Sequence, residues 1–506
     1  MTRGSGAGGT PTLRVAAGVG GGPAERLAAA ARETSDAVRV VRTGPTGVDA
    51  LEPLAMASLE GRTAFFPVPT RATVRATVEA LADGRLPTDG ADAVVAHDPG
   101  TETIPTPDDG PLSVGRRAVL GRCGWVDPLD PDAGALLSPD RTAEPVAGVG
   151  LLGRGRGDAA ADSPVGDAWA RTRAADGDPV VVVNANEPRS EQRVARTLLA
   201  GDPAAVLDGA AAVAEHVGAA DAVLVLNESD AALHRHLADA VAAVADDLPV
   251  VPQLVAGPDE YRAGAPTAAL EALEGADRVE PRIQPPGPAE HGLYGRPTVI
   301  HTPRTVAQVR RALRHPEAFT AGDADPGTRL FTVTGDVVDP ATVELPTGGS
   351  LAAVRDAVET VGAFKTACVG GVLGGFTRSL DVPPSAPSLD AAGLGTDGVV
   401  ELLNEGRCAV ADAGERARFA AAENSGRCVP GREGTKQLTE LLRDVYRGEF
   451  DDDGIRELGR VMERSSNCRI GAHAPRPVTT AIDEFEVEFR AHADGRCPAG
   501  VCTEDL

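Results

Sequence analysis

The residues of this chain with the most chemistry to offer are its cysteines and one glycine–arginine loop. Cys428 lies in the run Glu-Asn-Ser-Gly-Arg-Cys-Val-Pro-Gly-Arg-Glu-Gly (423–434), and Cys468 lies two helical stretches later. Thiolates in loops between helices are ligands for iron–sulfur clusters and soft metals. Cys497 and Cys502 form Cys-Pro-Ala-Gly-Val-Cys, whereas Cys123 and Cys408 read as ordinary buried thiols. The second feature, 150–157, reads Gly-Leu-Leu-Gly-Arg-Gly-Arg-Gly. Glycines at such spacing let backbone amides close on a phosphate, although such a loop taken alone is more often just a loop. The nine histidines form no H-x-x-x-H and no His/Cys cluster of zinc spacing; the closest pair is His234 and His236. Neither a Walker loop nor G-x-S-x-G occurs.

These residues need a scaffold, and 506 residues are enough for three or four domains. Strand and helix signals alternate at the start, with strands expected at 12–17, 38–42, 63–68 and 91–96 and helices at 24–31 and 72–81. A buried-strand run at 179–183 ends in Asn184-Ala185-Asn186-Glu187, and a helix at 205–217 is followed by further strands at 221–227 and 248–256. That is the βαβ rhythm of a parallel sheet, whose ligands gather at the carboxyl ends of the strands. Short strands, a turn at Gly335-Asp336 and a helix at 351–361 follow, then a proline-rich linker at 381–387. Four helical stretches close the chain, at 409–422, 435–446, 453–464 and 478–491. Leu438, Leu441, Leu442 and Val445, then Ile455, Leu458 and Met462, recur at the spacing of a buried helix face.

With 74 acidic against 49 basic residues the net charge is -25, which excludes nucleic acid as a partner. Only two basic residues are lysines, Lys365 and Lys436, which points to a halophilic protein working in high salt. No run of 18 apolar residues predicts a membrane span, and without an apolar leader at the N-terminus a cytoplasmic location is expected.

The loop at 423–434 resembles E-x-C-G-x-C-x-P-C-R-E-G, the cluster loop of the flavoprotein subunit of respiratory NADH dehydrogenase (complex I) and of its soluble hydrogenase relatives. Residues 150–157 resemble that family's G-L-R-G-R-G-G-A-G-F-P, 184–187 its N-A-D-E, 261–267 its Y-x-x-G-E-E-T, and 280–298 continue the match. The resemblance implies an α/β Rossmann-like flavoprotein core at 101–325, preceded by a thioredoxin-like α/β domain at 1–100. A small β-grasp domain at 326–385 and a helical-bundle, iron–sulfur-binding-like domain at 386–506 would follow. It further implies FMN and NADH, with Gly153, Arg154, Gly155, Asn184 and Asn186 holding the cofactors and Glu187 nearest the nicotinamide as the catalytic residue. A 4Fe-4S cluster would rest on Cys428 and Cys468, and a redox-complex or regulatory protein would be the partner.

The chain departs from the pattern where ligands are touched. The other cluster cysteines of the loop are Ser425 and Gly431, and residues 1–122 contain no cysteine for a two-iron cluster. Ala265 and Pro266 replace the two glutamates that grip the nucleotide, and His301-Thr302-Pro303-Arg304-Thr305 replaces N-N-V-E-T. Asp158 stands where it would repel a phosphate. The expectation is therefore a homologue without FMN, NAD(H) or cluster, or with an altered ligand; the alternative is a working NADH oxidoreductase using FMN and a 4Fe-4S cluster.

Overall fold

The computed structural model describes residues 10–130, 136, 142–320 and 322–502, which build three sheets and fifteen α-helices. The first sheet is formed by β1 (Thr12–Ala16), β2 (Arg39–Thr43), β3 (Leu54–Leu59), β4 (Arg62–Pro67) and β5 (Ala93–Ala96), in the order β2-β1-β3-β4-β5. β1 and β2 are parallel across the helix Gly22–Thr34, and the remaining pairs are antiparallel. Glu60 and Gly61, both at positive φ, make the two-residue turn between β3 and β4, the backbone geometry that matches strand twist in a tight hairpin. β3 reads Leu-Ala-Met-Ala-Ser-Leu and carries no β-branched residue, so no strand is expected there from sequence. Its pairing between β1 and β4, with Leu54, Ala55, Met56 and Ala57 buried, makes it one.

The second sheet is wholly parallel, β8-β7-β6-β9, from β6 (Val180–Asn184), β7 (Asp221–Asn227), β8 (Gln253–Gly257) and β9 (Thr298–His301). Every residue of β6 is buried, as a central strand covered on both faces requires. The helices Val194–Gly201, Pro203–Val217 and Pro303–Arg314 pack over it through Val206, Leu207, Val213, Val306 and Val309. The sheet sets the site, because 185–187 leave the carboxyl end of β6 while 302–305 leave that of β9.

The third sheet holds β10 (Thr328–Gly335), β11 (Ala341–Pro346), β12 (Phe364–Val369), β13 (Gly375–Thr377) and β14 (Val399–Asn404), ordered β11-β10-β14-β12-β13. β14 runs between β10 and β12, so the boundary expected at 385/386 falls inside this sheet. The helix expected at 351–361 is a shorter 3-10 turn, Leu351–Ala357, after which Val358 is extended. The expected linker runs into a helix, Ala386–Ala391. Beyond β14 the helices Ala409–Glu423, Thr435–Tyr446, Asp452–Ser465 and Arg476–Ala493 form a bundle on Val410, Leu438, Leu442, Ile455, Val478 and Ile482. Among the described residues no single helix is long and apolar enough to cross a membrane.

Candidate functional site

The glycine loop is folded onto its own chain. Gly153 donates its N–H to the Ser163 carbonyl (2.9 Å) and accepts from Asp162 (2.9 Å). A Cβ at Gly153 would strike the Ala160 carbonyl, so this glycine serves backbone packing. Gly155 has φ +87, a conformation that L side chains rarely adopt. Arg154 is 2% exposed: Nη1 lies 2.8 Å from Asp325 Oδ1, and Nη2 donates to the Pro326 carbonyl at 2.7 Å.

Asp158 is fully buried. Its carboxylate accepts from Ala160 N (2.8 Å), Thr302 N (3.2 Å), Thr305 Oγ1 (2.7 Å) and His301 Nδ1 (3.1 Å to each oxygen). Trp169 donates its indole N–H to His301 Nε2 at 2.8 Å, which fixes the neutral tautomer with the proton on Nδ1, facing Asp158. Burial alone would raise the Asp158 pKa, but His301, Thr305 and the Ala160 N–H together hold it below the ordinary carboxylate value. The side chain is spent on structure, and His301 and Thr302, which replace the family's asparagines, hold it.

The remaining site residues lie around the loop. Arg304 places its guanidinium carbon 3.1 Å from where a Gly155 Cβ would stand, donates from Nη1 to the Asp397 carbonyl (2.6 Å) and pairs with Glu187 Oε1 (3.4 Å). Arg156 lies flat over the Tyr261 ring at 3.9 Å. Asn184 spends its Nδ2 on the carbonyls of Gly157 (3.2 Å) and Gly264 (3.1 Å), and Asn186 donates to the Pro258 carbonyl (2.9 Å). Glu187 accepts from the backbone of Ala195 (2.9 Å) and Arg196 (3.2 Å), at the start of the helix Val194–Gly201. The structure therefore brings Asn184, Asn186 and Glu187 together, with Arg304, around a cavity of only ≈ 20 Å³. Such a space holds about one water. A larger cavity of ≈ 570 Å³ opens on the other side of Glu187, lined by Arg189, Arg193, Arg196, Asn227 and Asp230. There Arg193 pairs with Asp49 and Arg196 with Asp230.

The loop at 423–434 ends in one π-helical turn, Pro430–Gly434, that runs into the helix Thr435–Tyr446. Cys428 is 8% exposed. A Cβ at Gly431 would stand 3.0 Å from Cys428 Sγ, and one at Gly471 would stand 2.9 Å from Gly431 Cα. The loop thus packs backbone to backbone on the segment that carries Cys468. The Cys468 thiol is raised by burial and by the facing Cys428 thiol, against the N–H groups of Gly471 and Ile470 that point at it. Ser425 Oγ accepts from the Arg427 N–H at 3.3 Å. Cys428 and Cys468 are brought together as expected, with glycine and serine at the remaining positions of the loop.

A further thiol cluster escapes the sequence reading. Cys408, His492, Cys497 and Cys502 place their donor atoms within 4.8 Å of one another. The sequence has no His/Cys cluster of zinc spacing, yet the fold gathers one in space, and Cys408, buried in the bundle core, is part of it. Cys408 and His492 lie 84 residues apart, so no linear spacing marks them; only the C-x-x-x-x-C of 497–502 is a local signal.

Comparison with known proteins agrees with this architecture. Residues 146–311 match the model of the Nuo51 FMN-binding domain, and residues 412–492 match the NADH-ubiquinone oxidoreductase-F iron-sulfur binding region. The F 2 subunit of the NADH-quinone oxidoreductase of Rhizobium meliloti (strain 1021) is 30% identical over 391 residues, covering 71% of this chain and 91% of that protein. The HndC subunit of the NADP-reducing hydrogenase of Solidesulfovibrio fructosivorans is 28% identical, covering 76% of this chain and 86% of that one. A crystal structure of an NAD+-reducing NiFe hydrogenase in the H2-reduced state superposes with a TM-score of 0.63 at 26% identity, covering 96% of this chain and 85% of that chain. All three are redox enzymes or their components by name. The chain belongs to the family of the NADH-quinone oxidoreductase F subunit.

Proposed function

We propose that this chain is a member of the F-subunit family that does not carry electrons, and that it serves as a structural component of a multi-subunit redox assembly. The observation that carries this reading is the Arg304 guanidinium, which stands against Gly155 and, with Asn184, Asn186 and Glu187, lines a cavity of only ≈ 20 Å³, too small for a flavin. The family implies FMN, but these residues do not fit it: Arg154 is committed to Asp325, and Asn184 to two carbonyls. They do not fit a four-iron cluster either, because a cubane takes a thiolate on each iron and only Cys428 and Cys468 are present. Ala265 and Pro266 offer no side-chain acceptor to a nicotinamide nucleotide. On this reading the scaffold outlives its chemistry, since packing holds the fold while function sits in a few grafted residues. The βαβ-then-hairpin order of the first sheet supports a thioredoxin-like unit without its cluster. The mixed third sheet supports the β-grasp assignment, extended to residue 404.

One observation favours the second reading, an active FMN-dependent NADH oxidoreductase. Arg156 is buried, and its Nε and Nη1 have no hydrogen-bond partner among the described residues, as would suit a group that completes its shell on an anion. The two readings separate on protein purified anaerobically in high salt. Flavin released by acid, iron content and NADH oxidation with an artificial acceptor are all expected to be negligible. One FMN per chain together with NADH oxidation would overturn the proposal and establish the alternative.

A further inference from the structure

Residues of 161–163 after the glycine loop, of 386–397 before β14 and of 469–476 in the bundle line a cavity of ≈ 470 Å³. Elsewhere in the bundle arginines are paired with acids: Arg416 with Glu401, Arg456 with Asp452 and Arg490 with Glu486. Arg469 and Arg476, which line this cavity together with His473, are not. Arg469 donates from Nη2 to the Ala161 carbonyl at 3.3 Å and makes no other side-chain hydrogen bond among the described residues. The Arg476 guanidinium makes none among them; a Cβ at Gly395 would stand 3.0 Å from its Nη1. All three basic side chains are half-buried. In a chain of 74 acidic against 49 basic residues, two such guanidinium groups left without an acid in one cavity call for an anion from outside. We propose that Arg469, His473 and Arg476 form a binding site for an oxyanion of the phosphate class, which ties the helical bundle to the parallel-sheet core.

The three residues stand at i, i+4 and i+7, the spacing of one helix face. Burial, then Arg476 and Arg469, push His473 down to about 3, so the ring is neutral and offers a single N–H beside the two charges. Guanidinium forks bind carboxylate and phosphate alike. Two forks neutralise a dianion, and a tetrahedral one has oxygens enough for both forks and the imidazole. The acids of the cavity do not compete. Asp162 is spent on Arg329 Nη2 (2.9 Å) and on the Thr396 hydroxyl (2.5 Å). Asp397 is raised by burial, against the pull of Arg156, Arg469 and Arg304, and Asp390 is exposed. The volume lies within the range of small-molecule pockets, about 300–1,000 Å³. It leaves room beyond one phosphate, along Leu152 and Leu394, for a second phosphate or an organic body. Anion binding is reported by neither flavin nor iron content, so this proposal and the loss of electron transfer fail separately.

The test uses the full chain in about 1 M KCl, where screening beyond about 3 Å suppresses non-specific attraction. Pyrophosphate, inorganic phosphate and AMP are the probes, read by isothermal titration calorimetry. One pyrophosphate per chain should bind with a dissociation constant below about 1 mM and should raise the melting temperature. Arg469→Gln and Arg476→Gln should each weaken binding by at least about tenfold. Arg476→Lys keeps the charge without the fork; it should weaken binding by less than Arg476→Gln, and it serves in its place if the glutamine variant does not fold. Arg490→Gln, on the same helix but outside the cavity, should bind as wild type does. Binding of phosphate and pyrophosphate without AMP identifies a free anion, whereas equal binding of AMP identifies a phosphate carried on an organic body; either sustains the proposal. No binding of any probe at about 10 mM, or an affinity unchanged in both Arg469→Gln and Arg476→Gln, would overturn it.

Discussion

Asp158→Asn tests whether the residues that depart from the family's ligand pattern have become a structural unit. The carboxylate is fully buried and collects protons from Ala160, His301, Thr302 and Thr305. An amide offers one oxygen and one NH2. With the NH2 in the place of Oδ1, it faces the Ala160 N–H; in the place of Oδ2, it faces the Thr302 N–H and the Thr305 hydroxyl. Either way a buried donor loses its acceptor, at about 1–3 kcal/mol each, and the charge-assisted bond from His301 weakens. The expected loss is that of one such donor, about 1–3 kcal/mol. Urea unfolding in high salt followed by Trp169 fluorescence measures it, with Trp125→Phe as background so that one indole reports. The pH dependence has a definite sign. The folded pKa of Asp158 lies below its unfolded value, so its contribution is complete above about pH 4 and is lost as pH falls through the folded value. Wild type and variant should therefore converge in acid. A loss under about 1 kcal/mol at neutral pH, or strict additivity with His301→Asn, would refute the argument, because coupled residues deviate from additivity by 0.5–3 kcal/mol.

Three other outcomes are expected. Arg304→Ala removes the guanidinium standing against Gly155 and should tighten FMN binding by at least about tenfold, or 1.4 kcal/mol, in a flavin fluorescence titration; unchanged binding would remove Arg304 as the obstacle. Glu52 is pushed from 4.5 to about 7 by burial, against hydrogen bonds from Thr46. The folded chain therefore holds this proton more tightly than the unfolded chain, and stability should fall as pH rises from 4.5 to 7, by roughly 3 kcal/mol. Glu52→Gln should abolish that slope relative to wild type. With a net charge of -25, the melting temperature should climb between 0.1 M and 1 M KCl, as the screening length shrinks from about 10 Å to about 3 Å; a flat profile would show that self-repulsion is minor.

What could be read from the chain depended on how local each signal is. The helices of the bundle follow their apolar spacing, and Leu438, Leu442, Ile455 and Met462 are buried as that spacing requires. β6 follows from an unbroken valine run. By contrast β3, made of alanine, leucine and methionine, is a strand only because β1 and β4 flank it. β14 belongs to the third sheet by pairing with β10 and β12 across a stretch that reads as linker and bundle. Cys428 and Cys468 are linked in advance only by the family resemblance, whereas Cys408 and His492, 84 residues apart, carry no such signal.

The sequence by itself determined the family, the layered α/β and helical architecture, and the ligand positions that have changed residue type, since composition, periodicity and motif are properties of neighbouring residues. Only the tertiary structure decided what the replacements do. Asp158 looks like a charge facing a ligand until His301, 143 residues away, is found holding it. Arg304 looks like a lost acidic contact until its guanidinium is found against Gly155. Three cysteines and a histidine look unrelated until the bundle gathers them. A side chain's direction and its partners are fixed by packing between distant elements, and one-dimensional spacing carries no record of that.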